Sequence, residues 1–129
     1  MKLHSDTAAS GGQRITAYGA GFVAVEGTTF TGTVLLGQGA HATDFAERRL
    51  GDVNAATIDR ILERCPEVVL LGTGARHVFP SPGLLAPLMR AGIGVEVMST
   101  SAACRTWNIL NAEGRKVVAL LLPIEQGEC

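Results

Sequence analysis

Three short, strongly apolar runs dominate the second half of the chain: Val68–Leu71, Ile93–Met98 and Lys116–Leu122. Each is preceded by a stretch with helical periodicity. Ile58, Ile61, Leu62 and Cys65 fall at i, i+3, i+4 and i+7 behind a cap at Asp52 or Asn54, and Pro66 stops that helix. Ser81-Pro82 opens the second helix, Leu84, Leu85, Leu88 and Met89 form its stripe, and Gly92 ends it. Ser99 or Thr100 caps the third, which carries Ala102, Ala103, Thr106, Trp107 and Leu110 before Gly114. Helix and strand therefore alternate three times. Parallel neighbours need such crossovers, so the pattern predicts an α/β fold with a largely parallel central sheet. Val68–Leu71 has no polar position, as expected of a strand buried on both faces.

The first half reads as strands. Arg14–Tyr18 and Gly21–Val25 are short runs separated by glycines, and Thr28–Leu36 is a longer run rich in β-branched residues. Gln38–Ala42 is expected to be a loop and Asp44–Leu50 a helical turn. Residues 1–13 are polar and rich in small residues, which predicts a loose tail before a single domain over 14–129.

Composition narrows the function classes. A chain of 129 residues is one domain, and its 47% apolar and 18% charged content suits a packed core. A net charge of −1 gives no electrostatic case for nucleic acid. The longest uncharged apolar run, Val117–Pro123, is far below the ~20 residues of a membrane span. Cys65, Cys104 and Cys129 form no CxxC pair, so neither a disulfide framework nor a zinc site is expected, and a reducing compartment fits. The N-terminus has no apolar signal region and little positive charge, which makes the cytoplasm the default location.

Four segments in the second half carry a resemblance: Val69-Leu-Leu-Gly-Thr-Gly74, Gly92-Ile-Gly-Val-Glu-Val-Met-Ser-Thr100, Ala102-Ala-Cys-Arg-Thr-Trp-Asn-Ile-Leu110, and Glu113-Gly-Arg115 before an apolar strand. In this order they resemble the family of respiratory complex I assembly factor 3 and the adipogenesis-associated Mth-like proteins. The resemblance covers nearly the whole chain past residue 14. It implies a three-layer single domain with a mixed, mostly parallel central sheet, helices on its faces and a small extra β element from the N-terminal half. It implies no established enzymatic activity and no cofactor, and it points to an assembly-type role through a protein partner.

Ligands of open parallel sheets favour the carboxyl ends of the strands. Two loops leave such ends: Gly72-Thr73-Gly74 and Ser99-Thr100-Ser101. The second opens a helix whose first N–H groups lack internal partners, and Arg105 lies one turn in. Gly72, Thr73, Gly74, Ser99, Thr100, Ser101, Cys104 and Arg105 are thus the candidate ligand site, suited to a small anion. The competing reading makes Ser99 or Thr100 a plain cap and the two glycines a tight turn. Cys104 near a helix start has two readings too. The helix dipole favours a reactive thiolate with His77 as its base, whereas small neighbours favour buried packing.

Other constellations carry less. Gly72-x-Gly74-x-x-His77 lacks the third glycine of a dinucleotide fingerprint, and no P-loop is present. His41 and Asp44 have metal-ligand spacing but no third partner in sequence reach, so no metal site is expected. Asp59 and Glu63 read as an exposed helix face with Arg60 and Arg64. Trp107 reads as core in preference to an interface anchor, and mid-helix Asn108 calls for a buried hydrogen bond. The glycine-rich N-terminal strands offer an edge through which copies of the chain could pair. The leading expectation is a non-enzymatic interaction or assembly-type factor, and the alternative is a small-anion or small-ligand domain using the two strand-end loops.

Overall fold

The structure, a computed structural model, describes residues 13–37, 40–45 and 47–125. Two sheets organise them. Strands β1 (Ile15–Gly19), β2 (Phe22–Val25) and β3 (Thr28–Phe30) form a small antiparallel meander. The main sheet comprises β4 (Thr33–Gly37), β5 (Ala40–Phe45), β6 (Val68–Gly72), β7 (Gly94–Met98) and β8 (Val117–Leu121), in the order β5-β4-β8-β6-β7. The helices are α1 (Ala55–Leu62), α2 (Pro82–Arg90) and α3 (Thr100–Ala112), and a single 3-10 turn spans Leu50–Asp52.

The α/β expectation holds. The β8–β6 and β6–β7 pairs are parallel, and β4 pairs antiparallel with both β8 and β5, so four of the five strands run the same way. Side chains alternate across this sheet. Leu36, Leu70, Val117, Ala119 and Leu121 face α3 and the meander, together with Trp107, Ala103 and Val23. Leu35, Val69, Leu71, Val118 and Leu120 face α1 and α2 through Ile58, Ile61, Leu85 and Leu88. This makes three layers, with the meander filling the α3 side that one helix alone leaves open.

Three expectations are corrected. Thr28–Leu36 is not one strand: it breaks at Thr31-Gly32, where the chain passes from the meander to the main sheet. The break follows burial, since Thr28 and Thr29 are exposed whereas Val34, Leu35 and Leu36 are wholly buried. Residues 40–45 form the edge strand β5, extending over much of what reads as a loop and a helical turn, while Gln38 and Gly39 lie outside the described residues. Helical structure begins only at Leu50. Cys65 is exposed and outside α1, with φ +52°. The helix stops at Leu62 because Cys65 precedes Pro66, whose ring disfavours helical backbone there.

Asn54 caps α1 by accepting from the Ala56 and Thr57 N–H groups at 2.9 and 3.2 Å. Proline at the start of α2 and Gly92 after its end match the expected punctuation. Trp107 is buried, and its indole N–H donates to the Gln13 carbonyl at 2.6 Å. Gln13, expected as the end of a loose tail, is itself buried, and its side chain accepts from the Gly37 N–H at 3.0 Å, while residues 1–12 of that tail lie outside the described residues. Asn108 supplies the expected hydrogen bonds. Its amide accepts from the Ile15 N–H and donates to the Ile15 carbonyl, both at 2.9 Å, and so pins β1 to α3.

Candidate functional site

Parallel pairing of β6 with β7 brings their carboxyl ends side by side, so the two predicted loops do converge. The Thr73 N–H donates to the Met98 carbonyl at 2.9 Å. One step further, Thr100 and Gly74 bond twice. The Thr100 N–H donates to the Gly74 carbonyl at 2.9 Å, and the Gly74 N–H donates to Thr100 Oγ1 at 2.8 Å. That hydroxyl in turn donates to the Leu122 carbonyl at 2.6 Å.

These bonds close the junction rather than open it. Thr100 is fully buried, and Ser99 supplies the cap of α3 by accepting from the Ala102 N–H at 3.3 Å. A Cβ on Gly72 would lie 3.0 Å from both Cα and Oγ1 of Thr100 and 3.2 Å from the Ala103 Cβ. Gly72 is therefore required by helix–strand approach, with no room for a ligand between them. Ser101 is half-buried beside Thr100 in the first turn of α3. Arg105 is exposed and donates to the Tyr18 hydroxyl at 3.0 Å, which ties α3 to β1. Cys104 is completely buried, and burial pushes its thiol from 9.0 up to about 12, outweighing the opposing pull of the Arg105 charge. At neutral pH it is a packed thiol, not a thiolate.

Open space lies on the other side of the β6 loop. Thr73 and Gly74 line a cleft of about 310 Å³ together with Arg48, Arg49, Arg76 and Glu125. The Thr73 hydroxyl is turned inward to shape the loop, donating to the Arg76 carbonyl and accepting from the Val78 N–H at 3.0 Å. Arg48 reaches Glu125 at 3.4 Å and donates to the Thr31 carbonyl at 3.1 Å. Next to the cleft is a second hollow of about 370 Å³ lined by Val53, Phe79, Pro80 and Leu84, with Leu50 and Val78 forming a wall common to both. The predicted set therefore divides. Thr73 and Gly74 reach this cleft, whereas Gly72, Ser99, Thr100, Ser101, Cys104 and Arg105 do not line it. Sequence reasoning missed Arg48, Arg49 and Arg76. The Arg48-Arg49 dipeptide was the available signal, but its approach to the β6 loop depends on the path between β5 and α1. Among the described residues no cluster of three His, Cys, Asp or Glu side chains could hold a metal ion.

Comparison with known sequences places this arrangement in a family. The sequence model described as "Protein of unknown function (DUF498/DUF598)" matches residues 15–122, which include both sheets and every helix. The chain belongs to this family. Within and around it, the chain is similar to NADH dehydrogenase [ubiquinone] 1 alpha subcomplex assembly factor 3 of Danio rerio, 40% identical over 75 residues, covering 58% of this chain and 43% of that protein. It is also similar to a "13 kDa major membrane protein" of Francisella tularensis, 31% identical over 70 residues, covering 54% of this chain and 57% of that one. The chain thus spans about half the length of these curated relatives. The solution structure of a Bordetella pertussis protein described as a Mth938-like domain superposes with a TM-score of 0.81 at 33% identity, covering 98% of this chain and 94% of that one. The expected family and the Mth938-like fold are both found. No helix among the described residues of this DUF498/DUF598 member is long and apolar enough to cross a membrane.

Proposed function

We propose that the chain is a non-enzymatic factor that works through protein contacts, in the manner of an assembly factor. The observation that carries this reading is its 40% identity, over 75 residues, to a protein named as an assembly factor. Two features support it. Cys104, for which the sequence left open a thiolate or a packed thiol, is buried and held protonated, and the loop beside the cleft presents Phe79 at 76% exposure, an uncovered anchor of the kind found at protein interfaces. The exposed free thiol of Cys65 fits a reducing compartment such as the cytoplasm. The test is affinity capture with cross-linking from the native lysate, followed by sizing of the recovered complex. A partner recovered in fixed stoichiometry is expected. Recovery of nothing above a scrambled-surface control would defeat the reading.

A second reading is favoured by one observation. Three arginines line the cleft at Thr73 and Gly74, an environment suited to a small anion. Thermal shift with phosphate, citrate, nucleotides and coenzyme A addresses it. A ligand at about 100 times its dissociation constant adds roughly 2.7 kcal/mol, well above noise. A flat panel removes this reading.

A further inference from the structure

We propose that the arginine cleft and the apolar hollow beside it form one two-part groove for an acidic segment of a partner protein, with a carboxylate held among Arg48, Arg49 and Arg76 and an apolar side chain packed against Phe79. The inference rests on the protein-contact reading above and specifies where the partner docks and by what chemistry.

Charge is the first support. The whole chain carries 11 basic and 12 acidic residues, yet the cleft gathers three arginines against one glutamate. Glu125 engages Arg48, while among the described residues the guanidinium groups of Arg49 and Arg76 form no ion pair. The nearby Asp52 carboxylate is taken up by the backbone N–H groups of Arg48 and Arg49 at 3.4 and 3.3 Å. Guanidinium groups present planar forks that match carboxylates, and two of them beside a cleft, with no ion pair among the described residues, favour an incoming anion.

The second support is the continuity of the apolar half. Leu50 and Val78 wall both hollows, so an occupant of the cleft lies directly against the hollow. Val78 and Phe79 are 46% and 76% exposed, and among the described residues the Phe79 ring has one aromatic neighbour, His77, tilted at 51° with centroids 4.5 Å apart. A small inorganic anion would use the arginines and leave this surface wet. A peptide carrying acidic residues next to an apolar one would use both, which is the combination of charged rim and aromatic anchor that protein interfaces favour. The loop holds this shape through the Thr73 hydroxyl, so the groove exists before a partner arrives.

The test uses fluorescein-labelled decapeptides: one of Asp and Glu around a central Phe, one with Lys at every acidic position, and one acidic with Ser for Phe. Binding is read by anisotropy against the native chain, an Arg49→Glu/Arg76→Glu variant and Phe79→Ser. All substituted residues are exposed, and thermal midpoints check that each variant is folded. The native chain should favour the acidic Phe peptide over the Lys peptide by at least roughly tenfold, with the preference shrinking at ~0.5 M salt. Arginine reversal should erase that preference. Phe79→Ser and removal of the peptide's Phe should each weaken binding several-fold, with little further loss when combined. Equal binding of acidic and basic peptides, or an unchanged affinity after arginine reversal, overturns the proposal. Full displacement by millimolar phosphate with no dependence on Phe79 overturns it in favour of a small-anion site. Concentration-dependent dimerisation lost in Phe79→Ser assigns the groove to a second copy instead. The same variants used as bait separate this inference from the broader one. A partner still captured by the arginine-reversed chain defeats the groove and leaves the protein-contact reading standing, whereas no capture by the native chain defeats that reading itself.

Discussion

Thr100 and Gly74 hold each other through two hydrogen bonds of opposite direction, one from each backbone N–H, and the Thr100 hydroxyl donates a further hydrogen bond to the Leu122 carbonyl. A buried side chain thus joins the ends of β6 and β8 to the start of α3. Thr100→Val keeps the shape and removes the hydroxyl, leaving the Gly74 N–H and the Leu122 carbonyl without that partner. Urea unfolding should show a loss of ~2–3 kcal/mol, from the cost of unpaired buried groups. Thr100→Ser should retain most of the stability. A valine variant as stable as the native chain would show that the junction is held by other means.

Gly72→Ala tests the close approach of α3 to β6. The new methyl would meet Thr100 backbone and the Ala103 methyl on a packed helix, neither of which can rotate away. Overpacking of this kind costs ~1–3 kcal/mol. The thermal midpoint should fall by several degrees, while Gly83→Ala, where nothing lies within 4 Å, should leave it near the native value.

Asn108→Ala removes both hydrogen bonds to Ile15. Because Asn108 serves the meander and not the main sheet, the effect should be local. Amide exchange at Ile15 and along β1 and β2 should accelerate at least roughly tenfold, while protection in β6 and β8 tracks only the global stability loss. Uniform acceleration across both sheets would contradict this division.

Cys104 predicts an alkaline instability. Its folded-state value, about 12, lies above its unfolded value, 9.0, so the folded chain binds the proton more tightly. The contribution is fully present below pH 9 and is lost as pH rises toward 12. Chemical denaturation across this range should show stability falling, and Cys104→Ala should flatten that component. In the native chain at neutral pH, Cys65 should label readily and Cys104 only on unfolding.

The second half of the fold was legible because its signals are local. Proline at the start of α2, the glycines after α2 and α3, and the uninterrupted Val68–Leu71 run each mark an element by its own residues. The first half was less so. Nothing within Thr28–Leu36 announces that Thr31-Gly32 is a passage between sheets, since that depends on what each part later packs against. Residues 40–45, Ala-His-Ala-Thr-Asp-Phe, have little of the apolar content that marks a strand; they pair because β4 offers them a backbone edge. At the candidate site, the convergence of the Gly72–Gly74 and Ser99–Ser101 loops followed from strand-end logic. That the meeting is closed by Thr100, and that space opens toward Arg48 and Arg49 instead, depends on side-chain packing between segments far apart in sequence.

The position of β8 has a consequence for how this protein is made. It is the last of the five main-sheet strands in sequence and yet stands at the centre, between β4 and β6. Until Val117–Leu121 leaves the ribosome, Val34–Leu36 and Val69–Leu71 have no common neighbour to bridge them, and their apolar faces must wait in an unfinished chain. Closure of the sheet is therefore a long-range event that waits for the last of its five strands, and until then those apolar faces are open to pairing elsewhere.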